Sequence, residues 1–194
     1  MGFYADMASC TACRMRSTCT QVVLPDGNRK NPILMIIGEA PIKQDDEEGI
    51  PFIGDSGMVL RETLRHTKVL NKTNTVITNV LKCRHPDKFP KDESASICVS
   101  TWLMKEIEFL KPQVILLLGS VPLKYVANLK GITENRGSWL DVKGIKTLAT
   151  YHPSYILRMD GQGDLSYRKT FEQDIFQVAG EVATILKSMP QELK

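Results

Sequence analysis

The sequence has few of the features typical of a membrane or secreted protein. The longest uninterrupted apolar runs, residues 33–37 and residues 114–118, are far too short to cross a bilayer. Residues 1–6 lack a basic stretch followed by an apolar core, so we expect no secretory signal. The 194 residues contain no repeat, linker or low-complexity tract. We therefore expect one domain over residues 1–194, as a cytoplasmic monomer without a membrane partner.

A strong excess of charge is also absent. The chain has 25 Lys and Arg against 22 Asp and Glu, a formal net charge of +3. This balance permits a nucleic-acid partner, but any binding surface must come from local clustering of basic side chains. Hydrophobic content of 42% and charged content of 24% are typical of a globular protein with a sizeable core.

Short apolar runs alternate along the chain with segments of helical periodicity. The strand-like runs are residues 33–37, 75–78, 114–118 and 146–150, and the helix-like segments are residues 56–66, 94–110 and 167–189. Runs that are almost continuously apolar indicate strands covered on both faces. The alternation predicts an α/β protein: a three-layer α/β/α structure with a central, mainly parallel four-stranded sheet.

Residues with useful chemistry follow each predicted strand. Gly38 and Asn79 follow the first two strands, Gly119 follows the third, and His152 follows the fourth. Ligands of parallel α/β sheets bind beyond the carboxyl ends of the strands. We therefore predict that these four residues share one pocket.

An acidic loop bounded by glycine and proline follows the first predicted strand and contains Asp45 and Asp46. Glycine and proline let such a loop turn sharply beside a ligand. The loop is either a solvated acidic surface, or one or two of its carboxylates point inward to orient water or offset a developing positive charge. Phe52, further along, is either a core residue or a platform on which a planar base stacks.

Asn79 and His152 have side chains suited to a planar heterocycle. The Asn79 amide offers one donor and one acceptor, the complement of a pyrimidine's carbonyl and imide N–H. A lone Asn at a strand end is, however, more often a turn former. His152 precedes a proline, which keeps it extended. It is either a structural histidine bonded to backbone or a donor to an oxyanion on a departing base.

The segment after His152 offers contacts to a nucleic-acid backbone. Ser154 has an amide and a hydroxyl for a phosphate, and Arg158 has a bidentate guanidinium. Ile156 could act as a wedge in the space left by a flipped nucleotide. The basic residues that we expect on the pocket rim, where they would make DNA affinity salt-dependent, are Lys82, Arg84, Arg136 and Arg158.

Four of the five cysteines have a spacing that suits one metal centre. Cys10 and Cys13 form C-x-x-C, and Cys83 and Cys98 are separated by fourteen residues. A close pair supplies two thiolates to one metal centre without strain, and a distant pair completes the set of four thiolate ligands when the chain folds back. Zinc is an alternative, although the second pair lacks the short knuckle of most structural zinc sites. Cys98 could simply be buried, and Cys19 could replace Cys13.

In their order along the chain, these motifs resemble the iron–sulfur branch of the uracil-DNA glycosylase superfamily, often called family 4. The resemblance spans nearly the whole chain. It rests on C-x-x-C at 10–13, G-E-A-P at 38–41, G-I-P-F-I-G at 49–54, I-T-N-V-L-K-C-R at 77–84, R-G-S-W at 136–139 and Y-H-P-S-Y-I-L-R at 151–158. Each motif alone is weak, but the ordered set with its spaced cysteines is specific.

The resemblance implies an α/β/α fold and hydrolysis of the N-glycosidic bond of uracil in single- or double-stranded DNA, a step of base excision repair. Phe52 would stack on the base, Asn79 would read its edge, and His152 would stabilise the uracil anion. A [4Fe–4S] cluster would be structural, with the ligands Cys10, Cys13, Cys83 and Cys98. The residues implied to organise the attacking water are Glu39, Asp45 and Asp46. The other residues implied to contact the substrate are Ala40, Ile42, Ser154, Ile156 and Arg158.

Three positions depart from the family pattern, and one of them is His85, which replaces a commoner proline after K-C-R at 82–84. Ile42 stands where the family usually has glycine, and Asp45 replaces a commoner glutamate. Ile42 could crowd the pocket or change which bases enter it. It is the main support for one alternative, a catalytically weakened DNA-binding or interaction module. A second alternative, a cluster that carries electrons, leaves the pocket motifs unexplained.

Overall fold

A computed structural model describes residues 2–85 and 92–190 of the chain. At its centre is a sheet in which six strands lie in the order β1-β3-β2-β4-β6-β5. The strands are β1 (Asp26–Gly27), β2 (Leu34–Gly38), β3 (Thr75–Asn79), β4 (Val114–Leu118), β5 (Trp139–Val142) and β6 (Ile145–Thr150). The four inner strands are parallel, and the two edge strands are antiparallel to their neighbours.

Helices cover both faces of this sheet. They are α1 (Phe3–Ala8), α2 (Lys43–Glu48), α3 (Asp55–His66), α4 (Asp92–Cys98), α5 (Met104–Leu110), α6 (Ser120–Ala127), α7 (Ile132–Asn135), α8 (Pro153–Gly161) and α9 (Ser166–Ser188). Within the described residues, none of these helices combines the length and apolarity needed to cross a membrane.

Alternate side chains of β2 belong to two separate apolar clusters. Ile36 packs in one cluster with Leu60 of α3 and Phe171 of α9. Ile37 faces the opposite side, in a cluster with Leu123 of α6. Because successive strand residues point to opposite faces, a strand that is apolar throughout must be covered twice. The predicted three-layer α/β/α architecture is therefore confirmed.

All four predicted strands are present, but the predicted number of strands was too low. The strand β1 has only two residues and pairs Asp26 with Ile77 of β3. The strand β5 pairs Trp139 with Leu148 of β6, and most of its residues are partly exposed. Neither edge strand needs a continuous apolar run, so neither gives the signal that identified the inner strands.

The helix predicted over residues 94–110 is interrupted. A π-helical turn at Val99–Leu103 separates α4 from α5. Such turns widen a helix locally and change the direction of the side chains that follow. Here the turn buries Leu103 in the sheet-facing cluster while Trp102 packs with the cysteine-bearing N-terminal segment.

Candidate active site

Four loops meet at the carboxyl edge of the parallel strands. Gly38 ends β2 and lies beside Asn79, the last residue of β3. The N–H of Gly119, which follows β4, donates to the carbonyl of Thr150 at 2.8 Å. His152, two residues beyond the end of β6, is the N-cap of α8. This edge thus brings together the four residues that the strand pattern places there.

Gly38 allows Phe52 and Asn79 to meet. A Cβ atom at position 38 would overlap both the Phe52 ring and Asn79 Oδ1, so a side chain there would displace one of them. The centroids of the Phe52 and His152 rings are 5.9 Å apart, with their planes at 35°. An aromatic ring, an amide and an imidazole therefore border the same space.

Phe52 has a left-handed backbone conformation, with φ of +57°. This region costs a residue other than glycine about 1–2 kcal/mol, so surrounding contacts must hold the turn. The Asp45 carboxylate accepts from the Ile53 N–H at 2.9 Å. Arg61 donates to the carbonyls of Pro51 and Phe52 at 2.8 and 2.9 Å. These bonds fix the backbone that carries the buried Phe52 ring.

The Asn79 amide is buried, with 3% of the residue exposed. Its Oδ1 has no hydrogen-bond partner among the described residues. A buried acceptor without a partner costs about 1–3 kcal/mol, which makes such atoms rare in folded proteins. An N–H group of a bound molecule would satisfy this oxygen.

His152 has a defined tautomer. Its Nδ1 accepts from the Ser154 backbone N–H at 3.2 Å and lies 2.8 Å from Ser154 Oγ. Because a backbone N–H can only donate, Nδ1 carries no proton and the ring proton is on Nε2. Burial lowers the pKa of His152 from 6.5 to about 4. The imidazole is therefore neutral at physiological pH and offers one N–H donor. Both the backbone N–H and the hydroxyl group of Ser154 therefore point at the His152 ring. Contact of Ser154 with a phosphate stays a prediction.

The two acids of the loop are buried and bonded to backbone. Besides its bond from the turn, Asp45 accepts from the Ile42 N–H at 3.2 Å and so caps α2. Asp46 accepts from the N–H groups of Thr20 and Gln21 at 3.0 and 3.2 Å. These contacts give both carboxylates a structural role, and their participation in water activation stays a prediction.

Glu39 is the predicted acid that has no such backbone role. It follows Gly38 at the pocket edge and is half-buried. Burial raises the pKa of its carboxyl group. A carboxyl group at a pocket edge with a pKa shifted by desolvation is typical of groups that handle protons or water.

The structure contradicts the predicted wedge at Ile156. This side chain is fully buried in the core beneath α8, so it cannot enter DNA. Arg158, two residues further along, is exposed. Its guanidinium lies 4.8 Å from the centroid of the Tyr155 ring.

Ala40 and Ile42 lie on different sides of the loop. Ala40 packs against the apolar cluster that contains the cysteines. Ile42 is 43% exposed, and a Cβ atom at Gly54 would overlap its Cδ1. Ile42 therefore covers the outside of the loop at Gly54.

The prediction that Lys82 lies on the pocket rim was wrong. Lys82 is 1% exposed, and its Nζ donates to Glu106 at 2.6 Å and to Thr78 at 2.5 Å. Removing Lys82 from this pair would leave the Glu106 charge buried without compensation, so Lys82 stays in the interior and does not reach DNA. Arg136 is partly exposed and forms a bidentate pair with the buried Asp174.

The four predicted ligand cysteines line one cavity, together with apolar side chains, Trp102 and the basic residues Arg16 and Lys82. Trp102 Nε1 donates to Cys10 Sγ at 2.9 Å. Burial raises the pKa of Cys83, and it raises that of Cys98 to about 11 although nearby Lys82 opposes this. In the described part of the chain, no three Cys, His, Asp or Glu side chains are close enough to hold a single metal ion. Cys19 does not line the cavity, but it packs against the same cluster and its thiol is a hydrogen-bond neighbour of Cys83.

Sequence reasoning missed three residues around the site. Arg61 holds the Phe52 turn from nine positions away, and a Cβ atom at Gly57 would overlap the Phe52 backbone. No sequence pattern links these residues to Phe52. Trp102 had a usable signal, because it follows Cys98 by four positions and so shares its side of a helix.

Comparison with known proteins adds an independent finding. A sequence profile of the uracil DNA glycosylase superfamily matches residues 24–176. The chain is 38% identical over 153 residues to the type-4 uracil-DNA glycosylase of Thermotoga maritima, covering 77% of this chain and 78% of the relative. It is 33% identical over 187 residues to that of Archaeoglobus fulgidus, covering 91% and 89%. With most of its length matched, the chain belongs to the uracil DNA glycosylase superfamily.

Proposed function

We propose that this protein is a DNA-repair glycosylase that hydrolyses the bond between uracil and deoxyribose. The observation that carries the proposal is the buried Asn79 amide, whose Oδ1 has no hydrogen-bond partner in the described part of the chain and borders the same space as Phe52 and His152. The relatives are named type-4 uracil-DNA glycosylases, which supports the same substrate.

Base recognition follows from hydrogen-bond complementarity. A base in a duplex must leave the stack to be cleaved, at a cost of a few kcal/mol. Phe52 would then stack on the extruded ring. Asn79 Oδ1 would accept from the uracil imide N–H, and the amide nitrogen would donate to the adjacent carbonyl. Cytosine presents an acceptor and a donor in the reverse order, so it would leave the Asn79 amide mismatched.

His152 would stabilise the leaving group. When the glycosidic bond breaks, uracil departs as an anion with charge on its carbonyl oxygens. The neutral imidazole presents Nε2–H, because Ser154 occupies Nδ1. A fixed donor aimed at developing charge acts without reorganisation, and its loss typically slows a reaction about 10²–10³-fold.

The deoxyribose side needs a placed water and a negative field, because the sugar becomes cation-like. Glu39 would orient the water, since the loop acids Asp45 and Asp46 are bonded to backbone. The exposed Arg158 would contact a flanking phosphate. These contacts support DNA, single- or double-stranded, as the partner.

The four sulfur donors that line the cysteine cavity support the [4Fe–4S] cluster implied by the family. Cys10, Cys13, Cys83 and Cys98 would hold it, one thiolate to each iron, an arrangement that does not require three ligands around a single ion. N–H donors that point at the sulfurs, such as Trp102 Nε1 on Cys10, suit bound thiolates. The group would supply a covalent link between the N-terminal segment and the loop after β3. The described cysteines are free thiols, which agrees with a reducing, intracellular location. We include that location and a monomeric state in the proposal.

Release of uracil from oligonucleotides with one uracil tests the proposal, with cytosine and thymine oligonucleotides as controls. The wild type should release uracil alone. Asn79→Ala and His152→Ala should slow release strongly at unchanged helix content, whereas His66→Ala, at an exposed position of α3, should not. A wild type that binds these oligonucleotides but releases no base would instead favour the interaction-module alternative supported by Ile42.

A further inference from the structure

The role of Phe52 as a stacking platform rests on the proposed function, and the contacts that hold its turn come from α3 and β1. We propose that Arg61 of α3, itself anchored by Asp26 of β1, is a positioning residue that sets the Phe52 ring for base stacking. Arg61 contacts the turn through the backbone carbonyls of Pro51 and Phe52. It would not contact the base.

The hydrogen bonds of Arg61 converge on two consecutive peptide groups. Its Nε donates to the Phe52 carbonyl at 2.9 Å and its Nη2 to the Pro51 carbonyl at 2.8 Å. Among the described residues, Arg61 is the one side chain that donates to the Phe52 carbonyl. The planar guanidinium has donors at fixed angles, so two simultaneous bonds fix the orientation of both peptides. A lysine ammonium cannot reproduce this geometry.

Asp26 in turn fixes the guanidinium. Its Oδ2 lies 2.8 Å from Arg61 Nη2, and its other oxygen lies 3.2 Å from Lys72 Nζ. Burial raises the pKa of Asp26, but the bonds from Arg61 and Lys72 outweigh this effect and the net pKa is lowered. The carboxylate is therefore ionised at neutral pH. The two-residue strand β1 holds Asp26 in place through its pairing with β3.

Phe52 requires such support for a physical reason. Its left-handed φ of +57° is unfavourable for a side chain with a Cβ atom, and the turn has no glycine at that position to relieve it. The ring is confined by Gly38 and Asn79 on one side, so a small rotation of the peptide would move it against its neighbours. Displacement of a reacting or binding group by about 1 Å can lower a rate about 100-fold. The Arg61 bonds are placed to prevent that rotation.

Kinetics on uracil-containing DNA test the role of Arg61 with a matched control. Arg61→Met should raise KM roughly 10-fold or more with a smaller change in kcat, because stacking binds ground and transition states alike. Arg65→Met is the control. It removes an exposed arginine from the surface groove that Arg61 also lines, and it should behave as wild type. Arg61 and Asp26 border a groove of about 570 Å³, so methylguanidinium can enter it and should partly restore Arg61→Ala.

A second measurement needs no substrate. The chain has three histidines, and His152→Gln identifies the NMR signal of His152. The Phe52 ring lies 5.9 Å from the His152 ring, so movement of Phe52 should shift that signal in Arg61→Met and leave it unchanged in Arg65→Met. If the wild type releases no uracil, the proposed function fails, but this shift still tests the positioning.

Two results would overturn the inference. One is an Arg61→Met protein with the kinetics and the His152 signal of the wild type. The other is recovery of both properties by Arg61→Lys, which would show that charge alone matters. If Arg61→Met does not fold, Asp26→Asn decides by the same two measurements. It removes the charge that anchors the guanidinium and leaves the side chains of α3 unchanged.

Discussion

Acidification should destabilise this protein through His152 in a calculable way. Burial lowers the pKa of the folded imidazole to about 4 from 6.5, so the folded protein binds a proton less readily than the unfolded chain. The contribution of the neutral His152 ring to the free energy of unfolding is therefore fully present above pH 6.5, and it is lost as the pH falls toward 4. Each pH unit in that interval lowers the free energy of unfolding by about 1.4 kcal/mol. The total loss is about 2 kcal/mol at pH 5 and about 3 kcal/mol at pH 4.

The assay is urea unfolding of the parent and of His152→Gln between pH 7.5 and 4.5. Gln keeps a polar side chain and removes the titrating ring, so the difference between the two curves isolates His152. The parent should lose about 2 kcal/mol more than the variant between pH 7 and pH 5. His66→Gln, at an exposed position, should follow the parent. His152 itself should add no pH dependence to the rate of uracil release over this interval, because the donor is the neutral ring; protonation of Glu39, whose pKa is raised by burial, should slow release at the acidic end.

Parallel unfolding curves for parent and His152→Gln would refute this reasoning. So would an NMR titration in which His152 gains its proton near pH 6.5. Either result would mean that the imidazole is well solvated. An uncharged Nε2–H donor would then be the wrong description of the site below neutral pH.

Three further predictions concern other parts of the structure. Gly57→Ala should drive a methyl group into the backbone of the turn that carries the aromatic ring, destabilise the protein by about 1–3 kcal/mol in urea unfolding, and slow uracil release. Lys82→Met should cost about 3–5 kcal/mol in the same assay, because it leaves the carboxylate of Glu106 buried without its partner; a loss below 1 kcal/mol would show that water reaches that carboxylate. Cys83→Ser should reduce iron and sulfide content and destabilise the fold, whereas Cys19→Ser should leave both unchanged. A stoichiometric zinc content without iron would exclude the cluster.

The inner sheet could be predicted because burial on two faces requires continuous apolar residues. Residues 114–118 show this directly, and the strand β4 has the same bounds. The edge strands depend on pairing with a neighbour, and pairing leaves no hydrophobic pattern in a two-residue strand such as β1. Strand order likewise placed Asn79 and His152 at one edge, since every parallel strand ends there.

Side-chain roles were harder to predict than positions. Lys82 looks like a DNA-binding residue in sequence, but Glu106, 24 positions away, provides a buried partner that only the fold reveals. Ile156 follows His152 by four positions and is therefore on the same helix, but α8 turns it into the core. Arg61 acts through backbone carbonyls, and any residue type can supply these, so no motif marks it.

The adjacent acids Asp45 and Asp46 connect two distant chain segments to one short helix. Asp45 holds the loop that carries the aromatic ring, and Asp46 holds the segment that follows the first cysteine pair. Neither segment can open without breaking bonds to the same short helix. The amide protons of Thr20 and Ile53 should therefore exchange with solvent at a similar opening free energy, although 33 positions separate them. Similar exchange rates at Thr20 and Ile53 would show that the loop around Phe52 and the N-terminal segment open together.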